Sequence, residues 1–119
     1  HKFGGYGVRA KETAEAEKLI TDAVALDKAG CFAITLEKVP ADLAAEVTKR
    51  VSCATIGIGA GHATDGQILV YADMLGLTQG FKPKFLRQYA HLAQQMNDAV
   101  QAYITDVKAA TFPSVDESY

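Results

Sequence analysis

The stretch from Gly30 to Gly61 reads GCFAITLEKVPADLAAEVTKRVSCATIGIGAG and decides the fold of this chain. It contains two short apolar runs, Cys31 to Leu36 and Ala54 to Ile58, each with too few polar residues to alternate. Such runs are typical of strands buried on both faces of a parallel sheet. The first run ends on a single carboxylate, Glu37, and the second opens into glycines. We predict two parallel strands whose carboxyl ends meet at the rim of an active site.

Helical patterns flank both runs. Apolar residues recur at helical spacing from Thr13 to Ala29, and a second helix is predicted to begin after Pro40. A third strand is predicted over Gln67 to Tyr71. A long last helix is predicted from about Pro83 to about Ala110, and residues 111–119 are predicted to form a loose tail.

This order of elements indicates the α/β class, because strands that alternate with helices form a parallel sheet with right-handed crossovers. Three such strands leave two open edges, which a complete domain covers. The pattern therefore predicts one partial domain over residues 1–119, the C-terminal half of a (β/α)8 TIM barrel. A complete barrel of this kind needs roughly 250 residues.

Composition narrows the range of partners. The chain is 49% hydrophobic and 22% charged, with a net charge of -2, so it has no basic footprint for nucleic acid. Its apolar stretches are too short to span a membrane, and its N-terminus has no signal-peptide pattern. We expect a cytoplasmic protein with small-molecule or protein partners.

Cys31 and Cys53 each begin a predicted strand, which favours buried thiols over a metal or redox pair.

Glu37 is the leading candidate for chemistry. A carboxylate at the end of an apolar strand loses hydration, which suits it to proton transfer near neutral pH. In a parallel barrel, catalytic residues gather at the carboxyl ends of the strands. The alternative is structural, since Glu37 could instead cap the following helix or pair with Lys38.

The glycines at Gly57 to Gly61 allow two interpretations. They could let the backbone approach a phosphate, or they could serve only for tight turning, and they match neither a Walker loop nor a full dinucleotide fingerprint.

Nearby, His62, Asp65 and Asp73 suggest metal ligands, but their spacing fits no defined site. Carboxylates in such loops more often bond to backbone groups or to water.

Five motifs together resemble the C-terminal half of the ketopantoate hydroxymethyltransferase (3-methyl-2-oxobutanoate hydroxymethyltransferase) family. They are FGGY at Phe3–Tyr6, LEKVP at Leu36–Pro40, IGIGAG at Ile56–Gly61, TDGQILV at Thr64–Val70 and PKF at Pro83–Phe85. Their order and spacing match over essentially all 119 residues. The resemblance implies a TIM barrel of the phosphoenolpyruvate and pyruvate-binding group, commonly assembled as a large homo-oligomer.

The resemblance also implies a reaction. A hydroxymethyl group passes from 5,10-methylenetetrahydrofolate to 3-methyl-2-oxobutanoate and gives 2-dehydropantoate, with bound Mg²⁺, in pantothenate and coenzyme A biosynthesis. By position, Glu37 would be the base that removes a proton beside the ketone. Ile58, Ile68 and Val70 would form the apolar wall around the substrate's methyl groups. The Mg²⁺ ligands would lie in an N-terminal half that this chain lacks.

Two other functions stay open at this point. The leading expectation is that the isolated chain is an inactive product of truncation or cleavage. The alternative is a non-catalytic half-barrel interaction module whose open edges pair with another chain or copy. A third reading is an anion-binding domain that uses the Gly57 to Gly61 loop alone.

Overall fold

The computed structural model describes residues 13–80 and 82–119. The motif at Phe3 to Tyr6 lies outside the described residues. The chain forms two compact units, His1–Leu69 and Val70–Tyr119, and each is described by itself below. The single partial domain proposed for residues 1–119 stays a prediction.

The first unit alternates helices and strands, as its sequence predicts. Its described elements are α1 (Thr13–Lys28), β1 (Ala33–Glu37), α2 (Ala41–Arg50), β2 (Ala54–Ile58) and β3 (Gly66–Gln67). The strands form one sheet in the order β1-β2-β3, and both neighbouring pairs are parallel. The predicted α/β class with three parallel strands is confirmed and is consistent with a part of a TIM-barrel fold.

The end of α1 explains why β1 begins two residues later than predicted. Gly30 adopts a left-handed conformation with φ of 91°, and its N–H donates to the Asp27 carbonyl at 2.9 Å. The Cys31 N–H donates back to the Leu26 carbonyl at 3.2 Å. These two bonds close the helix in a Schellman motif. Because the Cys31 N–H completes the helix, the sheet ladder starts further along, at Ala33.

Helices cover one face of this sheet. Along β1, Ile34 and Leu36 are buried whereas Thr35 and Glu37 are exposed, which is the alternation expected when one face meets a core. The buried side chains pack with the apolar stripes of α1 and α2. The core consists of Ala23, Ile34, Leu36, Val39, Ala44, Val47 and Ala60.

The third strand is shorter than the sequence predicts. Instead of continuing to Tyr71, β3 contains only Gly66 and Gln67, although the Ile68 N–H still donates to the Gly57 carbonyl at 3.0 Å. The prediction is wrong from Ile68 onward because the chain enters a helical turn. The Val70 carbonyl accepts the first hydrogen bonds of that turn, so it cannot serve a strand ladder.

The second unit is helical. It contains α3 (Tyr71–Met74), α4 (Leu92–Lys108) and one turn of 3-10 helix (Val115–Glu117). The long C-terminal helix is confirmed from Leu92, but its predicted beginning is wrong because the described residues from 82 to 91 are not helical. Residues 111–119, the predicted tail, are exposed throughout. Within that tail, the Phe112 ring contacts Tyr103 edge-on at a centroid distance of 5.4 Å.

Backbone pairing accounts for the late start of α4. The Tyr89 N–H donates to the Met74 carbonyl at 2.8 Å, and the Leu92 N–H donates to the Leu75 carbonyl at 3.0 Å. Gly76 permits this approach, since its φ is 71° and a Cβ atom there would collide with the backbone of the paired segment. N–H groups used in this way cannot donate to a preceding helical turn.

Among the described residues, no helix combines the length and the apolar character needed to cross a bilayer.

Candidate functional site

The carboxyl ends of the three strands lie along one edge of the sheet. Glu37, the last residue of β1, has Ile58, the last residue of β2, as its Cα partner. The Lys38 N–H donates to the Ile58 carbonyl at 2.9 Å. Ile68 follows β3 directly and bonds to Gly57 of β2. Three of the four residues assigned to the site from sequence are therefore neighbours at this edge.

Strand alternation places these three side chains on the face opposite the helices. Leu36 and its partner Gly57 belong to the helix-covered face, so Glu37 and Ile58, one residue further along, point the other way. Gln67 pairs with Gly57, which places Ile68 on the same face as Glu37. We call this surface the open face. Its described positions are Ala33, Thr35, Glu37, Ala54, Ile56, Ile58, Gly66 and Ile68.

Val70, the fourth residue assigned to the site, lies in the other unit. It begins the second unit, where its side chain is 53% exposed and its carbonyl accepts from the Asp73 and Met74 N–H groups. Its membership of the apolar wall stays a prediction.

The Glu37 carboxylate has no hydrogen-bond or ion-pair partner among residues 13–80 and 82–119. Neither structural alternative for Glu37 is therefore observed. It does not pair with Lys38, and it does not cap α2, which begins after Pro40 with no side-chain cap. Glu37 is also exposed, so the loss of hydration expected from its strand is not supplied by the residues described here. Within the described ranges, the sheet edge thus presents an acid without a partner next to two isoleucines.

The backbone just after Glu37 is constrained. Lys38 has a φ of 53°, in the left-handed region that non-glycine residues seldom adopt. This turn returns the chain to the core at Val39, which is only 5% exposed. Glu37 is thus held at the last position of its strand.

The glycine turn after β2 serves packing. Gly61 has a φ of 77°, and a Cβ atom there would lie 2.5 Å from the Ala41 Cβ at the start of α2. At Gly57, a Cβ would lie 2.7 Å from the Thr64 hydroxyl. Contacts this close favour the turning interpretation over a phosphate cradle, because the space that a side chain would occupy is already filled by protein atoms.

Asp65, a candidate metal ligand in the sequence, instead belongs to a polar network at the amino end of the strands. Its carboxylate accepts hydrogen bonds from the Thr55 N–H at 2.7 Å and the Thr55 hydroxyl at 2.9 Å. The Thr48 hydroxyl lies 2.9 Å from that of Thr55, which is fully buried. The bonds from Thr55 lower the pKa of Asp65. The network connects α2 and β2 with the residue that precedes β3.

The other two members of that proposed set are His62 and Asp73. His62 is exposed in the loop after β2, and Asp73 belongs to α3 in the second unit. Within the described ranges, no three His, Cys, Asp or Glu side chains are grouped so that they could hold a metal ion. The residues described here do not fit the Mg²⁺ that the family resemblance implies.

A second carboxylate at the amino end was missed from sequence. Asp27, in the last turn of α1, accepts hydrogen bonds from the Ser52 N–H at 3.0 Å, the Ser52 hydroxyl at 2.9 Å and the Cys53 N–H at 2.9 Å. The bonds from Ser52 lower the pKa of Asp27. Burial raises the pKa of the Cys53 thiol. An acid at the negative end of a helix dipole is unfavourable, and that was the sequence signal for a tertiary partner.

The second unit contains a cavity of about 540 Å³. The polar residues on its lining include Thr78, Gln79, Lys82, Gln88, His91 and Gln94. None of the residues assigned to the site from sequence lines this cavity.

The first unit therefore defines a class of protein, a parallel α/β fold with an acid at the carboxyl edge of the sheet that has no partner among the residues described. Enzymes of this architecture act at that edge. The sequence comparisons are specific. The chain belongs to the ketopantoate hydroxymethyltransferase family, whose family model matches residues 1–115.

Curated relatives match the whole chain. It is 57% identical to the 3-methyl-2-oxobutanoate hydroxymethyltransferase of Porphyromonas gingivalis, covering 100% of this chain and 44% of the relative. It is 59% identical to the proteins of the same name from Prosthecochloris aestuarii and Christiangramia forsetii, again over 100% of this chain and over 43% and 44% of those relatives. The chain thus spans less than half the length of the curated relatives it matches.

Proposed function

We propose that this chain is the C-terminal part of an enzyme that transfers a hydroxymethyl group from 5,10-methylenetetrahydrofolate to 3-methyl-2-oxobutanoate, giving 2-dehydropantoate. Family membership over the whole chain supports the reaction class. The observation that supports a role for this chain is the unpartnered Glu37 carboxylate at the carboxyl edge of the sheet, between apolar neighbours. We place the enzyme in the cytoplasm and in pantothenate biosynthesis.

Glu37 is the proposed base. A hydroxymethyl transfer to this keto acid requires loss of the proton on the carbon beside the ketone, which leaves an electron pair that forms the new carbon–carbon bond. A carboxylate without internal hydrogen bonds has all its lone pairs available for that proton. Ile58 and Ile68, with Val70 as a further proposed member, are apolar surfaces suited to the substrate's two methyl groups.

The open face is the proposed inner wall of a barrel. It is apolar apart from two residues of β1, and α1 and α2 of the same unit pack on its opposite side, as expected for strands whose remaining neighbours complete a (β/α)8 barrel. Closure of that barrel would remove water from Glu37 and the isoleucines. The Mg²⁺ of the family would be held by residues outside this chain, because the described residues offer no suitable group.

The experiment uses the full-length protein, meaning this chain joined to the N-terminal part that its relatives contain. Exchange of the substrate's C3 hydrogen with solvent deuterium isolates the proton-transfer step from folate chemistry. Glu37→Gln keeps the size of the side chain but removes the base, and we expect exchange to fall by about 10² to 10⁴-fold. Glu46→Gln, on the surface of α2, is the matched control. An exchange rate unchanged by Glu37→Gln rejects the proposal.

The 119 residues alone are proposed to be inactive, since they hold a base but no metal site among the described residues. Turnover by the isolated chain comparable with that of a full-length relative would contradict this.

A non-catalytic half-barrel module is the second candidate, favoured by the same uncovered face, which another chain or copy would cover. Light scattering separates the cases, because the module predicts a defined assembly of the isolated chain with its strand edges paired.

A further inference from the structure

The open face contains one polar residue besides Glu37. Of its eight described positions, six are Ala, Ile or Gly, and the two others, Thr35 and Glu37, lie on the same strand two residues apart. Both are exposed in this structure, so water satisfies their polar atoms. Among the described residues, the Thr35 hydroxyl has no hydrogen-bond partner.

A hydroxyl on an otherwise apolar surface needs an acceptor once that surface is covered. If the open face is a barrel interior, as in the proposed function on which this inference rests, the Thr35 hydroxyl loses its water, and leaving it unpaired would be costly. Residues two apart on a strand point to the same face, with Cβ atoms about 6.6 Å apart. A glutamate side chain can fold back across that distance and accept a hydrogen bond from the threonine.

We propose that Thr35 is a positioning residue for Glu37. Its hydroxyl donates a hydrogen bond to the Glu37 carboxylate, restricts the rotamers of this otherwise unpartnered acid, and holds the second carboxylate oxygen toward the substrate carbon. On the side of β1 that the structure describes, the neighbouring residues Ile56 and Ile58 of β2 offer no competing side-chain acceptor.

The test is a set of variants of the full-length protein, assayed by solvent-deuterium exchange at the substrate's C3. Thr35→Val replaces the hydroxyl with a methyl group of similar size, and we expect the exchange rate at saturating substrate to fall roughly 10-fold, the effect of losing a hydrogen bond to a charged group. The KM should change little. Thr35→Ser retains the donor and should restore most of the rate.

A double-mutant cycle separates positioning from a general structural effect. If Thr35 acts through Glu37, then Thr35→Val should have no further effect on exchange in a Glu37→Gln background. Thr21→Val, on the outer surface of α1 where the hydroxyl bonds to the Glu17 carbonyl, is the matched control and should leave the rate unchanged.

The inference is overturned if Thr35→Val leaves the exchange rate unchanged, if Thr35→Ser fails to restore it, or if Thr35→Val lowers the rate equally with and without Glu37. These outcomes are distinct from failure of the proposed function, which would appear as an unaltered rate in the Glu37→Gln protein itself.

Discussion

The two ends of the small sheet treat their carboxylates in opposite ways. At the amino end, Asp27 and Asp65 each accept several hydrogen bonds from backbone and hydroxyl donors, and both have lowered pKa values. At the carboxyl end, Glu37 accepts none from the described residues. The acids at one end join secondary-structure elements together, whereas the acid at the other end is left available.

The difference teaches how this fold divides stability from chemistry. In parallel barrels generally, residues at the amino ends of the strands contribute to stability. Residues at the carboxyl ends contact the ligand. Here the division follows the hydrogen bonds, because donors that stabilise the ionised carboxylates of Asp27 and Asp65 make the protonation of these acids less favourable. Four measurements would break or sharpen the contrast.

The largest effect is expected at the carboxyl end. Glu37→Asp in the full-length protein withdraws the carboxylate by about one methylene, and a displacement of that size costs roughly 10²-fold in rate. We expect C3 deuterium exchange to fall by this factor while the urea midpoint of unfolding stays the same. Asp65→Glu is the mirror-image control, and it should lower the midpoint without changing the exchange rate. If Glu37→Asp lowered the urea midpoint and Asp65→Glu lowered the exchange rate, the two ends of the sheet would not differ in the way described.

Thr55→Val should produce the largest loss of stability among the polar residues. Thr55 is fully buried and both of its polar groups are bonded to Asp65; the variant keeps the N–H bond but removes the hydroxyl from Asp65 and Thr48. We expect a loss of about 1–3 kcal/mol in the free energy of unfolding, measured by urea denaturation. A variant as stable as the parent would show that the network contributes nothing net.

Acid should weaken the interactions at the amino end. Because the folded-state pKa values of Asp27 and Asp65 lie below the ordinary value of 3.8, their stabilisation is complete above that pH and is lost as the pH falls through the folded values. The double variant Asp27→Asn, Asp65→Asn should be less stable near pH 7. Its urea midpoint should also fall less steeply below pH 4 than that of the parent protein, and equal slopes would contradict the assignment.

The smallest effect belongs to a charged pair at neither end. Lys18 and Asp22 approach to 2.6 Å on the surface of α1, with side chains 72% and 58% exposed. Exposed pairs of this spacing contribute about 0.3–0.5 kcal/mol. Lys18→Gln should therefore change the urea midpoint barely above error and leave exchange unaffected. If Lys18→Gln lowered the free energy of unfolding as much as Thr55→Val, the contribution of these interactions to stability would not depend on their burial.

Much of the first unit could be predicted from sequence, since local signals and tertiary packing agree there. The second strand was placed at its observed limits, Ala54 to Ile58, because its apolar run is bounded by polar residues and glycines. Gly30 ended the first helix as expected. Glu37 was placed at the rim because a single acid follows an otherwise apolar strand.

The errors arise where a backbone group finds a partner distant in sequence. Tyr89 lies on a helical repeat, yet its N–H bonds to Met74, which periodicity cannot reveal. Ile68 to Val70 looks like a strand by composition, but the Val70 carbonyl starts a helical turn. Asp65 was grouped with His62 by proximity in the chain, whereas its donors come from Thr55 on the neighbouring strand.

The left-handed backbone at Lys38 limits which sequences this edge of the sheet can accept. β-Branched residues are strongly disfavoured at a φ of 53°, so variation at position 38 should be confined to glycine, asparagine, aspartate and unbranched side chains. A library of all twenty residues at this position, selected for folded protein, should therefore be depleted of valine, isoleucine and threonine. The backbone conformation at position 38 would then restrict which side chains can follow Glu37, whatever the role of Glu37 itself.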